Sequence, residues 1–240
     1  MASITVAMIS MNEQEAVGKV IAGIQAATAG RDVEILLVDS SKDRTPEIAA
    51  AAGARVVRQF PPQGYGRAMA RALSEGRGDV VVTLDCDDTY PPERILELAD
   101  LVLSGRYDLV NASRLEAKPD AMPLPNYLAN WVFAFVSWVL LGIKTTDVHS
   151  GMRAYRRSML ETMTFDPAGP ALPVDLMLKP ALAGYRLAEV FIPYRDRIGV
   201  TTLRKWESTI WTFRRIFRLF RLRLESPAPV MPEVLKEPPR

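Results

Sequence analysis

Asp85 and Asp87 stand two residues apart at the end of the apolar run Val80–Leu84, with Cys86 between them and Asp88 following. Carboxylates at this spacing can converge on one hard divalent cation where the backbone bends out of strand geometry. Mg²⁺ or Mn²⁺ held by one or two carboxylates completes its shell with substrate phosphate oxygens. The chemistry implied is therefore work on a nucleoside diphosphate. An isolated pair of acids is a weak signal. Its position strengthens it, because open α/β sheets bind ligands at the carboxyl ends of their strands. Cys86 is the chain's one cysteine, so it reads as a small filler rather than part of a thiolate metal site.

Three earlier segments send polar groups toward the same edge. Ile9, Met11, Asn12 and Glu13 follow the first apolar run, and Val38-Asp39-Ser40-Ser41 closes the second. Gly64-Tyr65-Gly66 opens a helix, where glycine permits close backbone approach or a tight turn. Taken singly, these are ordinary caps and turns. Together they converge on one rim.

The frame that positions them is an alternation of strands and helices. Ile4–Ile9, Val33–Asp39, Arg55–Arg58, Val80–Asp85, Asp108–Ala112 and Leu187–Tyr194 read as strands. Helices are expected over 13–29, 45–52, 66–76, 91–104 and around 175–183, with Thr45 as an N-cap before Pro46 and Glu47. This spacing predicts an α/β fold with right-handed crossovers and a mainly parallel central sheet flanked by helices. Tyr127–Ile143 runs seventeen residues without a charge but is interrupted by Asn130, Ser137 and Gly142. It reads as a buried or interfacial helical hairpin rather than a membrane crossing.

The net charge of +2 conceals an asymmetry: residues 204–223 carry +6, leaving −4 for the rest. Along residues 204–224, Trp206, Ile210, Phe213, Phe217, Phe220 and Leu224 form an apolar stripe beside Arg214, Arg218 and Arg221. A basic amphipathic helix of this kind fits an anionic membrane surface; the alternative is packing on the core with solvated arginines. Residues 225–240 hold five of the chain's 18 prolines and read as a flexible tail. No secretory signal is read at the N-terminus. No G-x-x-x-x-G-K-[ST] occurs, and Gly64-x-Gly66 lacks the third glycine of a dinucleotide fingerprint.

The order of these pieces resembles family 2 of the glycosyltransferases, with the GT-A fold, and within it the dolichol- and polyprenyl-phosphate sugar transferases. The resemblance spans about residues 3 to 210. It includes Ala112-Ser113-Arg114, Thr146–Tyr155, Ala183–Pro193 and Arg197-x-Gly199. It implies a nucleotide-sugar transferase domain over 1–203 that contains the apolar segment 124–143, followed by an interfacial helix over 204–224. The implied activity is an inverting, metal-dependent transfer from a UDP- or GDP-sugar to a polyprenyl phosphate. Glu13 and Asp39 would bind the nucleoside, with Ile9, Met11, Val38, Gly66 and Cys86 nearby. Asp85 and Asp87 would hold Mg²⁺ or Mn²⁺. Arg114 and Arg197 would face phosphates, and His149, Ser150 and Arg153 would lie near the acceptor.

Departures from the family pattern are specific. Ile9 and Met11 replace a proline and a tyrosine, and Asp39 lacks the usual adjacent aspartate. Thr201-Thr202 stands where serine-lysine is usual, so Arg204 or Lys205 would substitute for the lysine. A phosphate acceptor needs no general base, being largely ionised near neutrality (second pKa about 6). A hydroxyl acceptor would need one, with Asp147 or His149 as candidates. The implied location is the cytoplasmic face of a membrane, held peripherally, with no nucleic-acid partner. A membrane-surface or nucleic-acid binding module built on the basic helix is the non-enzyme alternative.

Overall fold

The computed structural model describes residues 3–199, 205–223 and 231–235. Thr201, Thr202, Arg204, Leu224 and much of the proline-rich end lie outside the described residues. The chain runs β1 (Ile4–Ser10), α1 (Val17–Ala27), β2 (Val33–Asp39), α2 (Thr45–Ala51), β3 (Arg55–Arg58), α3 (Tyr65–Glu75) and β4 (Val80–Asp85). It continues through α4 (Ile95–Leu103), β5 (Leu109–Ser113), α5 (Leu124–Leu141), β6 (Arg153–Arg156) and α6 (Arg157–Thr162). It ends with α7 (Leu172–Leu182), β7 (Leu187–Phe191), α8 (Lys205–Arg223) and β8 (Glu233–Leu235).

The strands form one sheet in the order β3-β2-β1-β4-β6-β5-β7-β8. All pairings are parallel except those of β6, which runs antiparallel to both β4 and β5. Period-two alternation feeds a core on each face. Ile4, Val6 and Met8 with Val80, Val82 and Leu84 pack under α1, α2 and α4. Ala7, Leu36 and Val81 pack under α3, α5, α7 and α8. Both faces are covered, which is why β4 reads as a continuous apolar run rather than an alternating one.

The expected mainly parallel sheet and its first five strands are present. Four details differ from the sequence reading. Thr45 is the first helical residue of α2 rather than its cap; Asp43 Oδ1 accepts the Thr45 backbone N–H (3.0 Å) and hydroxyl (2.5 Å). The apolar stretch is one helix, α5, not a hairpin. Asn130 and Ser137 do not break it because each donates to the carbonyl four residues back, at 2.9 and 2.8 Å. Gly142 ends it in the left-handed conformation. Within the segment read as a flexible tail, Glu233–Leu235 pairs in parallel with β7.

The fourth difference concerns the last helix. Ser208, Thr212, Arg215, Ile216 and Leu219 are the buried line of α8, whereas Trp206, Ile210 and Phe217 are exposed. Arg215 is itself internal, paired with Asp175 (3.0 Å) and Asp166 (3.3 Å). α5 and α8 pack together through Phe133 and Phe213, with ring centroids 5.2 Å apart, and Arg223 donates to the Leu140 carbonyl. α5, packed on α8, turns Leu128, Trp131, Phe135, Trp138 and Val139 outward. By length and composition α5 is long and apolar enough to cross a membrane.

Candidate active site

Register brings the acids together. Ser10, Asp39 and Arg58 are opposite one another on β1, β2 and β3, and Ile9 is opposite Asp85 on β4. The chain then turns sharply through Cys86–Thr89, with Asp88 at φ 65° and paired with Lys19 at 2.6 Å. This is the bend that lets Asp85 and Asp87 leave strand geometry. Asp87 Oδ1 accepts the Thr89 hydroxyl (2.6 Å) and backbone N–H (3.2 Å). Among the described residues nothing hydrogen bonds to or ion-pairs with the Asp85 carboxyl. Burial, reinforced by the neighbouring Asp87, pushes its pKa up to about 7.

Arg197 bridges the rim. Its Nη1 lies 3.0 Å from Asp87 Oδ2 and its Nη2 lies 2.8 Å from Glu13 Oε1. Backbone hydrogen bonds from Arg195 to Thr89 and from Ile198 to Asp87, each 3.0 Å, lay this segment across the acidic turn. Burial raises the Glu13 pKa, and Arg197 opposes that rise.

Arg114 follows β5 and is gripped by Asp147 through Nε (2.7 Å) and Nη2 (2.9 Å). Its guanidinium also lies over the rings of Tyr194 and Tyr90, 5.2 and 5.9 Å from their centroids. This leaves Nη1 without a hydrogen-bond partner among the described residues. Burial works against the Asp147 charge, but the Arg114 pairing overrides it and holds the carboxyl below its ordinary range. Buried Glu189 fixes the loop that carries Asp147. It accepts hydrogen bonds from the hydroxyls of Thr145 and Thr146 (both 2.6 Å) and from the Asn111 amide (2.9 Å).

Several residues singled out from sequence have other duties. Arg153 is fully internal, donating to Asn111 Oδ1 and to the Pro173 and Val148 carbonyls, so it does not face an acceptor. Ser150 is buried and donates to the Ala112 carbonyl. Neither base candidate is poised to take a proton: Asp147 is committed to Arg114, and burial lowers His149 to about 4. The Thr212 hydroxyl donates to the Ser208 carbonyl, so His149 Nε2 is the donor in its 2.9 Å contact with Thr212. Gly66 serves packing, since a Cβ there would stand 2.4 Å from the Pro167 carbonyl oxygen. The Val38 and Cys86 side chains lie in the core, Ile9 is half-buried against it, and Met11 is exposed.

Sequence reasoning missed Glu189 as a positioning acid, although a lone charge inside the apolar strand Leu-Ala-Glu-Val-Phe was visible. It gave no role to Tyr90, Tyr194 or Gly151, although Gly151 falls within the Thr146–Tyr155 stretch that carries the resemblance. Among the described residues no three His, Cys, Asp or Glu side chains gather as a metal cluster. The donor set at the rim is instead the pair Asp85 and Asp87. A carboxyl without a partner beside a second one fits a hard cation that draws its remaining ligands from phosphate and water.

The family model for glycosyl transferase family 2 matches residues 5–164. The dolichyl-phosphate hexose transferase of Haloferax volcanii is 44% identical over 83% of this chain and 86% of its own length. The low-salt glycan biosynthesis hexosyltransferase Agl6 of the same organism is 33% identical over 84% of this chain; the match covers 50% of that protein. The fold matches glucosyl-3-phosphoglycerate synthase from Mycobacterium tuberculosis, a structure containing Mn²⁺ and UDP. The TM-score is 0.71 at 22% identity, covering 94% of this chain and 81% of that one. The expected GT-A architecture is thus present, and the chain belongs to glycosyl transferase family 2 and is a glycosyltransferase.

Proposed function

We propose that this protein transfers a sugar from a UDP- or GDP-sugar to a polyprenyl phosphate at an anionic membrane surface, with inversion at the anomeric carbon. The observation that carries this reading is Asp85: a largely buried carboxyl, without a partner, beside Asp87 at the sheet's carboxyl edge. Asp85 and Asp87 would hold Mg²⁺ or Mn²⁺, which when bound neutralises charge on the departing diphosphate. The free Nη1 of Arg114 offers a further donor to phosphate oxygen, and the Asp147 grip fixes its direction. Arg197 would have to release Asp87 for a cation to reach both Asp85 and Asp87, and its contact with Glu13 would keep it at the rim to meet a phosphate. The commitment of Asp147 and His149 favours an acceptor that arrives ionised. The name of the Haloferax volcanii relative supports a lipid phosphate in that role.

The exposed aromatic face of α5 and α8, with Arg214 and Arg221 exposed beside it, supports a peripheral position on the cytoplasmic leaflet. The test is transfer from a panel of radiolabelled UDP- and GDP-sugars to polyprenyl phosphate in vesicles, with and without Mn²⁺. Organic-extractable label that needs the metal and is lost in Asp85→Asn is expected. Label remaining in the aqueous phase on a soluble phosphorylated acceptor would overturn the lipid assignment.

A further inference from the structure

One exposed aromatic at the carboxyl edge has no role so far. Phe60, just beyond β3, is 54% exposed, and the Arg58 guanidinium lies 6.0 Å from its ring centroid. That guanidinium is fixed: Nη1 pairs with Asp39 and Nη2 donates to the Ser41 carbonyl at 2.9 Å. Its Nε has no partner among the described residues. Ser10, Asp39 and Arg58 share one register row, and Phe60 follows two residues beyond Arg58 on the strand next to β2. Neighbouring strands in such a sheet lie roughly 4.8 Å apart, so Phe60 stands close to the Asp39 carboxylate's end of β2.

The polar row beside Phe60 donates more readily than it accepts. The Asp39 carboxylate already receives the hydroxyls of Ser10 (2.7 Å) and Ser41 (2.5 Å), the Ser41 backbone N–H (3.1 Å) and Arg58. Little acceptor capacity remains for a ligand N–H, whereas Arg58 keeps N–H groups to give. We propose that Phe60 and Arg58 are the nucleobase platform, the ring stacking on the base and Arg58 donating to a keto oxygen. Uracil and guanine both carry such an oxygen; adenine does not. This rests on the nucleoside-diphosphate donor proposed above and adds residues that read its base. Aromatic stacking on a base is insensitive to sequence detail but lost on truncation to alanine.

The experiment titrates UDP, GDP, ADP and inorganic pyrophosphate, each with Mn²⁺, into wild type, Phe60→Ala and Phe60→Tyr by calorimetry. Phe60 is exposed, so both variants are expected to fold, which the thermal transition checks. The expected result is binding of UDP or GDP in preference to ADP. Phe60→Ala weakens it about tenfold, Phe60→Tyr restores it, and pyrophosphate binding is unchanged. Unchanged UDP and GDP binding by Phe60→Ala overturns the platform alone. Wild-type binding of pyrophosphate as tight as either nucleoside diphosphate overturns the donor reading and the platform with it.

Discussion

A Cβ placed on Gly151 would stand 2.6 Å from Oδ2 of Asp85. The carboxyl thus occupies a notch that glycine alone leaves open, and the loop entering β6 determines where Asp85 can point. Gly151→Ala is expected to displace the carboxyl and lower kcat/KM at least tenfold, with a small change in Tm. Gly66→Ala should behave oppositely. Its Cβ meets the Pro167 and Gly169 carbonyls, and overpacking of this kind costs about 1–3 kcal/mol. Steady-state kinetics and thermal melts on both variants separate the two cases.

At the proposed metal site, the raised pKa of Asp85 would make cation binding pH-dependent. Below about pH 7 the carboxyl holds a proton that the metal must expel. Mn²⁺ affinity should therefore fall about tenfold per pH unit on the acid side and level off above. Stability follows the opposite course. A folded-state value of about 7 against an ordinary 3.8 contributes stability below about pH 4, and this is lost as pH rises through 7. Metal-free Asp85→Asn should consequently exceed wild type in stability at pH 8, by on the order of 3 kcal/mol, and match it near pH 4. Denaturant titrations at the two pH values, without metal, check this.

Arg114 and Asp147 form a buried, bidentate pair in which each neutralises the other. Removing one charge strands its partner, a loss of about 3–5 kcal/mol. Asp147→Leu and Arg114→Met are each expected to show it. The double variant should recover most of the stability but none of the transfer, because Nη1 of Arg114 is gone. A double-mutant cycle read by both melting and turnover tests the assignment; recovered turnover would remove Arg114 from the chemistry.

On α5, Trp131 and Trp138 are exposed, and Trp131 stacks on Phe135 with centroids 5.6 Å apart. Trp131→Glu with Trp138→Glu should abolish flotation with anionic vesicles. Nucleoside-diphosphate binding in solution should be unaffected, since these side chains point away from the core. Flotation equal to wild type would remove α5 from the membrane-facing surface.

Much of the frame was legible because β1, β2 and β4 are largely apolar runs, the latter two bounded by acids, and a glycine follows each of the helices α1, α2 and α3. β6 was not. Arg153-Ala-Tyr-Arg is four residues long, and its charged first side chain is satisfied by Asn111 and Pro173, both distant in sequence, and by Val148 in the loop just before it. The α5 hairpin was misread because Asn130 and Ser137 look like breaks until their bonds to the preceding turn are seen. At the site, the acids of the β4 turn were evident from spacing. The pairing of Asp147 with a residue 33 positions earlier was not, and it converts a candidate base into an anchor.

The reversal of β6 has a wider consequence. The excursion between β5 and β6 both departs from and returns to the ligand-binding rim, so the sheet places no limit on its length or content. That excursion carries Arg114 and Asp147 and ends on Gly151, whose missing side chain leaves room for the Asp85 carboxyl. A change of length or content there is therefore felt at the β4 turn as well as on the loop itself, so the two halves of this scaffold must vary together.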